Sequence, residues 1–144
     1  MEIPVRTQSL TYSLVYHTGL HAVVLRWLVP GTLAEERASY VAALVLAQQY
    51  GCASWLLDSR LAGPIDAGVA QWLVHEFLPL AAARLAPTRL RLAVVSSLAR
   101  LAQKQTDAAV APVVAHALAQ ERPYEAGIFY DEGSAVAWLM ALPA

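Results

Sequence analysis

The sequence has 144 residues, of which 58% are hydrophobic and 15% charged, and its formal net charge is −1. A chain of this size can bury a core of its own, and so apolar a composition excludes a largely disordered chain. The nearly neutral charge argues against a nucleic-acid partner, and the single cysteine excludes an internal disulfide and a zinc site built from cysteines. We therefore expect one domain over residues 1–144, with its core within residues 8–141.

The mean hydropathy of +0.45 makes a membrane segment the first alternative to test. The longest uncharged stretch, residues 38–57, is long enough to cross a bilayer. However, Gln48, Gln49 and Gly51 lie inside it, and polar amides and a helix-stopping glycine are costly in lipid. The first ten residues also lack the basic start and apolar block of a signal peptide. We expect no integral membrane segment and a cytoplasmic location.

Five segments have the pattern of β-strands, either alternating polar and apolar residues or short apolar runs. The first two are separated by a short turn at residues 17–19, which predicts a hairpin. The third, CASWLL, is apolar throughout, which is typical of a strand buried on both faces. The predicted strands are residues 9–16, 20–29, 52–57, 89–95 and 124–130.

The first predicted helix follows the hairpin and has a clear start and end. Thr32 and Glu35 have the spacing of a capping box, and Gly51 can adopt the left-handed conformation that closes a helix. One apolar side of this helix is expected to face the core. That side consists of Leu33, Val41, Leu44 and Val45.

Three further helical segments follow the later strands. Asp66 is a candidate cap for the second helix, and Pro79 predicts a kink or an end near the residue before it. The third helical region, residues 96–120, is expected to break at Thr106–Asp107. Asp131 is a candidate cap for a last helix that ends at Met140.

The resulting order, β-β-α-β-α-β-α-β-α, predicts an α/β fold with about five strands in a mixed, mainly parallel sheet that begins with a hairpin. This order and three sequence runs resemble the STAS family, the fold of anti-sigma-factor antagonists. The runs are WLLDSR at 55–60, PIDAG at 64–68 and QWLVHEFLP at 71–79. They are similar to bacterial STAS-like or SpoIIAA-like proteins, and the likeness covers residues 8–141.

The resemblance implies a protein-interaction or regulatory module, but one position departs from the family pattern. Ala67 stands where the antagonist proteins carry their phosphoacceptor serine, and residues 61–80 contain no serine, threonine or tyrosine. A phosphoryl switch needs a hydroxyl group at that helix start. We therefore expect a non-catalytic module without this switch, unless the role has moved to Ser59, and we expect it to self-associate as a homodimer.

Polar side chains collect where the third predicted strand ends. Asp58, Ser59, Arg60 and Asp66 follow that strand, at the edge where open α/β sheets bind ligands. With Trp72 and His75 from the next helix, they form the candidate patch for a partner or ligand: Asp58, Ser59, Arg60, Asp66, Trp72 and His75. The alternative is a structural role, in which Asp58 accepts loop amides and pairs with Arg60.

No enzyme motif is recognisable, so we predict no catalytic residues, no cofactor and no metal site. The sequence has no glycine-rich phosphate loop, no nucleophile elbow and no histidine spacing typical of metal ligands. His75 and Glu76 are adjacent on a helix and point about 100° apart, so they do not face one site. Two alternatives remain open: a binder of a small apolar or amphipathic ligand, and an enzyme that uses Asp58, Arg60 or His75.

Two tryptophans and the two faces of the sheet complete the expectations. Trp55 in the sheet and Trp72 in the second helix are expected to be largely buried. If the helices cover mainly one face of the sheet, the other presents aromatic and arginine side chains to a partner or apolar ligand. Otherwise the bent third helical region covers that second face.

Overall fold

A mixed β-sheet with its strands side by side in chain order forms the centre of the protein. The computed structural model describes residues 2–8, 11–119 and 122–141. Its strands are β1 (Glu2–Gln8), β2 (Tyr12–His17), β3 (Ala22–Trp27), β4 (Ser54–Asp58), β5 (Leu90–Val95) and β6 (Tyr124–Phe129). The first three strands pair antiparallel and β3 to β6 pair parallel, which confirms the predicted α/β fold with a hairpin near its start.

The strand β1 was not predicted. Its sequence, EIPVRTQ, contains a proline and two charged residues, which are depleted in strands. An edge strand tolerates a proline because one side of its backbone has no strand partner. The sheet pairs this segment with β2 only, and it therefore adds a sixth described strand at the edge of the predicted five.

The helices agree with the predicted segments. They are α1 (Leu33–Tyr50), α2 (Ala67–Trp72), α3 (Leu78–Leu85), α4 (Leu98–Thr106), α5 (Ala111–Ala117) and α6 (Glu132–Met140). Thr32, Asp66 and Asp131 cap α1, α2 and α6 as expected, and the break between α4 and α5 falls at Asp107. Within the described ranges, none of the helices is both long enough and apolar enough to cross a membrane.

The face that α1 turns toward the core differs from the prediction. Leu44 is buried as expected, but Leu33, Val41 and Val45 are exposed. Small side chains instead bring the helix against the sheet, because Ser39, Ala43 and Ala47 recur at every fourth position and are each fully buried. The same rotation of α1 also buries Glu36.

Pro79 does not end the second helix. A π-helical turn, Leu73–Phe77, joins α2 to α3, and the N–H of Leu78 donates to the carbonyl oxygen of Leu73, five residues earlier. Proline has no N–H and cannot continue the usual hydrogen-bond ladder. The wider turn absorbs this defect, and the helix continues to Leu85.

Helices cover both faces of the sheet. Tyr12, Trp27, Trp55, Leu92 and Tyr124 belong to the larger core cluster, on the face packed by α1, the α2–α3 segment and α5. The opposite face forms a smaller cluster against α6, the only described helix on that side. Its buried members are Val24, Leu56, Ala93, Val95 and Ala135. The aromatic strand residues are therefore covered by helices.

The two tryptophans differ in burial. Trp55 is fully buried, as expected, but Trp72 is only half-buried. Its ring stacks on Phe77 with centroids 5.1 Å apart, and the Arg37 guanidinium lies 5.5 Å from its centroid on the solvent side. Trp72 thus packs against the larger core cluster, as predicted, but it is less completely buried than Trp55.

This difference predicts unequal stability losses. Trp55→Ala should lower the free energy of unfolding by about 3–5 kcal/mol, since it removes a large side chain from a closed core. Trp72→Ala should cost less than about 3 kcal/mol, because part of its ring is already in water. Urea denaturation followed by circular dichroism measures both values. Equal losses for the two variants would contradict the different burial of the two rings.

Candidate functional site

A cavity of about 140 Å³ lies between the larger-core face of the sheet and the helices α1, α2, α4 and α5. It is closest to the carboxyl ends of the parallel strands, the edge where open α/β sheets bind ligands. Most of its wall is apolar and comes from both the sheet and the helices. Representative wall residues are Leu57, Val69, Leu73, Val113 and Ile128. The cavity can therefore hold an apolar group away from water.

Two basic side chains of α4 line this cavity. Ser97 caps the helix by accepting from the N–H of Arg100 at 3.1 Å, and Lys104 follows Arg100 by four residues, which places both on one face of the helix. The Arg100 Nε donates to the carbonyl oxygen of Gly63 at 2.6 Å, and the Lys104 Nζ donates to Ser96 Oγ at 3.1 Å. Both cations are thus anchored by neutral oxygens.

Neither cation forms an ion pair with a described carboxylate. Burial lowers the pKa of Arg100, and burial together with the Arg100 charge lowers the pKa of Lys104 to about 8. Two adjacent, partly desolvated cations are unfavourable, and the nearby Glu36 offsets only the charge of Arg100, so the site is suited to an anion.

Glu36, Tyr40 and Asp66 add acidic and hydroxyl groups to the lining. Burial raises the pKa of Glu36, and the charge of Arg100 opposes this rise in part. Burial also raises the pKa of Tyr40 to about 12, so this phenol keeps its proton at neutral pH. Asp66 accepts from the N–H of Val69 at 2.9 Å as the cap of α2. Its carboxylate is therefore already engaged by the helix start.

The π-helical turn also contributes to the cavity, through Leu73 and Val74. A π-helical turn is wider than an α-helical turn, and such turns occur frequently at functional sites. Here the turn has a structural cause in Pro79, and it also shapes the wall that faces the sheet. The proline that was expected to kink or end the helix therefore follows an irregular turn that forms part of the cavity wall.

The residues of the candidate patch do not form one site. Asp58 lies on the opposite face of the sheet, where Arg26 NH1 donates to one of its oxygens and Arg60 donates from Nε at 3.0 Å and from NH2 at 2.9 Å. Glu132 of α6 accepts from Arg26 NH1 at 2.8 Å. Asp58 and Arg60 thus belong to an ion-pair network that connects β3 and β4 to α6.

The other members of the patch divide between the cavity and the surface. Ser59 and Asp66 line the cavity, and Ser59 is buried with its hydroxyl donating to the carbonyl oxygen of Val95 at 2.9 Å. Trp72 packs beside the cavity wall. His75 is exposed, and its ring lies 4.7 Å from that of His116. Only Ser59 and Asp66 of the six predicted residues therefore contribute to the cavity.

Four ionisable side chains of the cavity lining were missed by sequence reasoning: Glu36, Tyr40, Arg100 and Lys104. One signal was present, because Lys104 is the single lysine of the sequence and follows Arg100 at helical spacing. Glu36 gave no signal, since acidic residues in the first turn of a helix are usually exposed. Among the described residues, no group of three or more histidine, cysteine or acidic side chains is placed to hold a metal ion.

Comparisons with protein-family models, curated proteins and solved structures found no match to this chain.

The ion-pair network predicts a specific dependence of stability on pH. Although burial alone would raise the pKa of Asp58, hydrogen bonds and charges from Arg60 and Arg26 lower it overall. Asp58 therefore stabilises the fold above its unfolded pKa of about 3.9, and this contribution is lost as the pH falls through the lower folded value. Asp58→Asn should cost about 1–3 kcal/mol at pH 7, and less as the pH falls below about 4.

Urea denaturation at several pH values measures this dependence. The matched control is Glu125→Gln, because the Glu125 carboxylate is 40% exposed and makes only longer ion pairs, with Arg89 at 3.5 Å and with Arg91 at 3.7 Å. An exposed pair of this kind contributes about 0–1 kcal/mol. A loss for Asp58→Asn that stays constant from pH 7 to pH 2 would show that its charge does not stabilise the fold.

Proposed function

We propose that the protein binds a small amphipathic anion, an acid with an apolar chain or ring, in the cavity between the sheet and α4. The observation that carries this proposal is the pair of basic side chains, Arg100 and Lys104, which form no ion pair among the described residues and line a mostly apolar cavity. An acid would place its carboxylate against these cations and its apolar part against the strands and helices.

The volume of the cavity limits the size of the ligand. A cavity of about 140 Å³ is close to the roughly 150 Å³ of apolar cavities that take up benzene. Pockets for drug-sized ligands are larger, at about 300–1,000 Å³. The apolar part of the ligand is therefore a single ring or a short branched chain rather than a long acyl chain.

The acidic groups in the lining are compatible with an anion. Asp66 is occupied as the cap of α2, and burial already favours the protonated form of Glu36 by raising its pKa. Glu36 therefore takes up a proton more readily than an exposed glutamate when a second anion enters the cavity. Tyr40 keeps its proton and can donate a hydrogen bond to the ligand.

Calorimetric titration with 4-methylpentanoate, compared with the uncharged alcohol 4-methylpentan-1-ol, tests this proposal. The acid should bind and the alcohol should bind about tenfold or more weakly, since a charge-assisted hydrogen bond is worth about 1.5–3 kcal/mol. Arg100→Gln should reduce the affinity for the acid by a similar factor, and Arg84→Gln, a change at an exposed arginine, should leave it unchanged. Equal affinities for the acid and the alcohol would refute an anion site.

We propose, as a second candidate, a STAS-like interaction module that self-associates and lacks the phosphoserine switch. Support comes from the order of the elements and from Ala67, which is the first residue of α2 beside the capping Asp66. The hydroxyl of Ser59 is buried and donates to a backbone carbonyl, which argues against Ser59 as the relocated phosphoacceptor.

Exposed apolar side chains provide a surface through which two copies of the chain could associate, as this second candidate requires. Leu61, Leu98 and Tyr130 follow the carboxyl ends of β4, β5 and β6 and are 62%, 76% and 69% exposed. Consecutive parallel strands end at one edge of the sheet, so these three side chains lie at the same edge. A second copy of the chain that covered them would remove a large apolar area from water.

Native mass spectrometry of Leu98→Asp tests the self-association. The wild-type chain should form dimers, and the charged side chain should increase the dissociation constant about tenfold or more, because it places an unpaired charge in an apolar contact. Val45→Asp is the matched control, since Val45 is 54% exposed on the outer side of α1. A monomeric wild-type chain, or an equal effect of the control, would contradict a dimer through this edge.

A further inference from the structure

Lys104 is the only lysine of the sequence; every other Lys or Arg position carries arginine. It lies within α4 and lines the apolar cavity. A lysine is a strongly hydrated point charge that changes its protonation readily when buried, whereas an arginine stays charged. The one position where the chain carries an amine rather than a guanidinium is therefore inside the cavity.

The surroundings of the Lys104 amine favour a reactive, partly uncharged state. Its Nζ donates to Ser96 Oγ at 3.1 Å, and Ser96 is itself 1% exposed at the end of β5. Burial and the nearby Arg100 charge lower the pKa of Lys104 to about 8, so about a tenth of these side chains are uncharged at pH 7. An uncharged lysine amine in an apolar pocket beside another cation is an activated nucleophile.

Arg100 is placed to hold the acid that such an amine would attack. Its Nε is used by the Gly63 carbonyl oxygen, and within the described residues its two terminal amino groups have no hydrogen-bond partner, which leaves a fork of donors for a carboxylate. Residues four apart on a helix have their Cβ atoms about 5–6 Å apart. Both side chains line the same cavity, so one small ligand can meet the guanidinium and the amine together.

We propose that Lys104 forms a Schiff base with the carbonyl carbon of a small 2-oxo acid whose carboxylate is held by Arg100. This inference rests on the proposed anion-binding function and names the ligand class for that cavity. The apolar chain of the oxo acid would lie against the cavity wall that includes Val113 and Ile128.

The step balances without a further reactant. The lone pair of the uncharged Lys104 nitrogen bonds to the carbonyl carbon, and the electron pair of the C=O double bond moves to the oxygen. The nitrogen then loses a proton and the oxygen gains one, which gives a carbinolamine. Departure of that oxygen as water leaves a carbon–nitrogen double bond, so one amine and one ketone yield one imine and one water.

Reductive trapping tests the inference on the full chain. The protein is incubated at pH 7 with 4-methyl-2-oxopentanoate and cyanoborohydride, and its intact mass is measured. We expect a single adduct whose mass is that of the acid less one oxygen atom, located by peptide mapping at Lys104. The N-terminal amine is the other primary amine of the chain and serves as an internal comparison.

Two kinds of control define the site. Lys104→Arg keeps the positive charge and Lys104→Met keeps the length, so an adduct that disappears in both while circular dichroism shows a folded chain assigns the reaction to Lys104. Arg100→Gln should lower the yield about tenfold. 4-Methylpentan-2-one, which lacks the carboxylate, should also react about tenfold less than the oxo acid.

The outcomes separate this inference from the function on which it rests. The same preparation is titrated with 4-methylpentanoate, which has no carbonyl carbon for an amine to attack. Binding of that acid without an adduct at Lys104 overturns the Schiff base and leaves the anion site in place. Absence of both overturns both proposals, and an adduct confined to the N-terminal amine, or equal trapping of the uncharged ketone, also overturns the inference.

Discussion

Burial of the central parallel strands on both faces is the constraint on which the rest of the structure depends. In β4 and β5, Trp55 and Leu92 belong to one core cluster, and Leu56 and Ala93 belong to the other. Parallel strands connected by helices must be covered on both faces. The helices α1 to α5 connect strands along the sequence, so α6, which follows the last strand, is free to cover the second face.

The ion-pair network fixes that last helix. Asp58 ends β4 on the second face, Arg26 lies beside it on β3, and Glu132 begins α6. A carboxylate that is almost fully buried needs both hydrogen bonds and counter-charges to remain ionised, and Arg26 and Arg60 supply them. Asp58 and Arg60 adjoin the cavity residue Ser59 in sequence but lie on the opposite face of the sheet. The reason is that side chains of successive strand residues alternate in direction.

Sequence reasoning was most successful where local chemistry decides the structure. The caps Thr32, Asp66 and Asp131 depend on one side chain and an amide three residues away, and all three were predicted. The core-facing side of α1 was not, because it depends on how closely small residues such as Ala43 let the helix approach the sheet. The π-helical turn was missed for the same kind of reason, since tertiary packing continued the helix through Pro79.

The candidate site was even less accessible to sequence reasoning. Its members come from α1, the start of α2, the π-helical turn, α4 and α5, and no short motif connects them. The sequence did show an apolar composition and polar groups at a strand end, which led to the expectation of a small apolar or amphipathic ligand. The sequence could not show that α4 turns Arg100 and Lys104 toward the cavity. About half of this helix is polar, and a helix of that composition is equally compatible with a position facing solvent.

The cavity is a local weakness in the packing between the sheet and the helices on its larger-core face. Alanine side chains at positions 70, 117 and 126 in its wall leave space that larger residues would fill. Atoms that line a void lose part of their dispersion contacts, and the two cations lose hydration while forming no ion pair among the described residues. A ligand that supplies both an apolar group and a carboxylate reverses both penalties at once. Because it binds only the folded chain, it would stabilise the fold by about 2.7 kcal/mol at a concentration one hundred times its dissociation constant. The unfilled space and the two cations that make this region unfavourable are therefore the features that a bound acid would compensate.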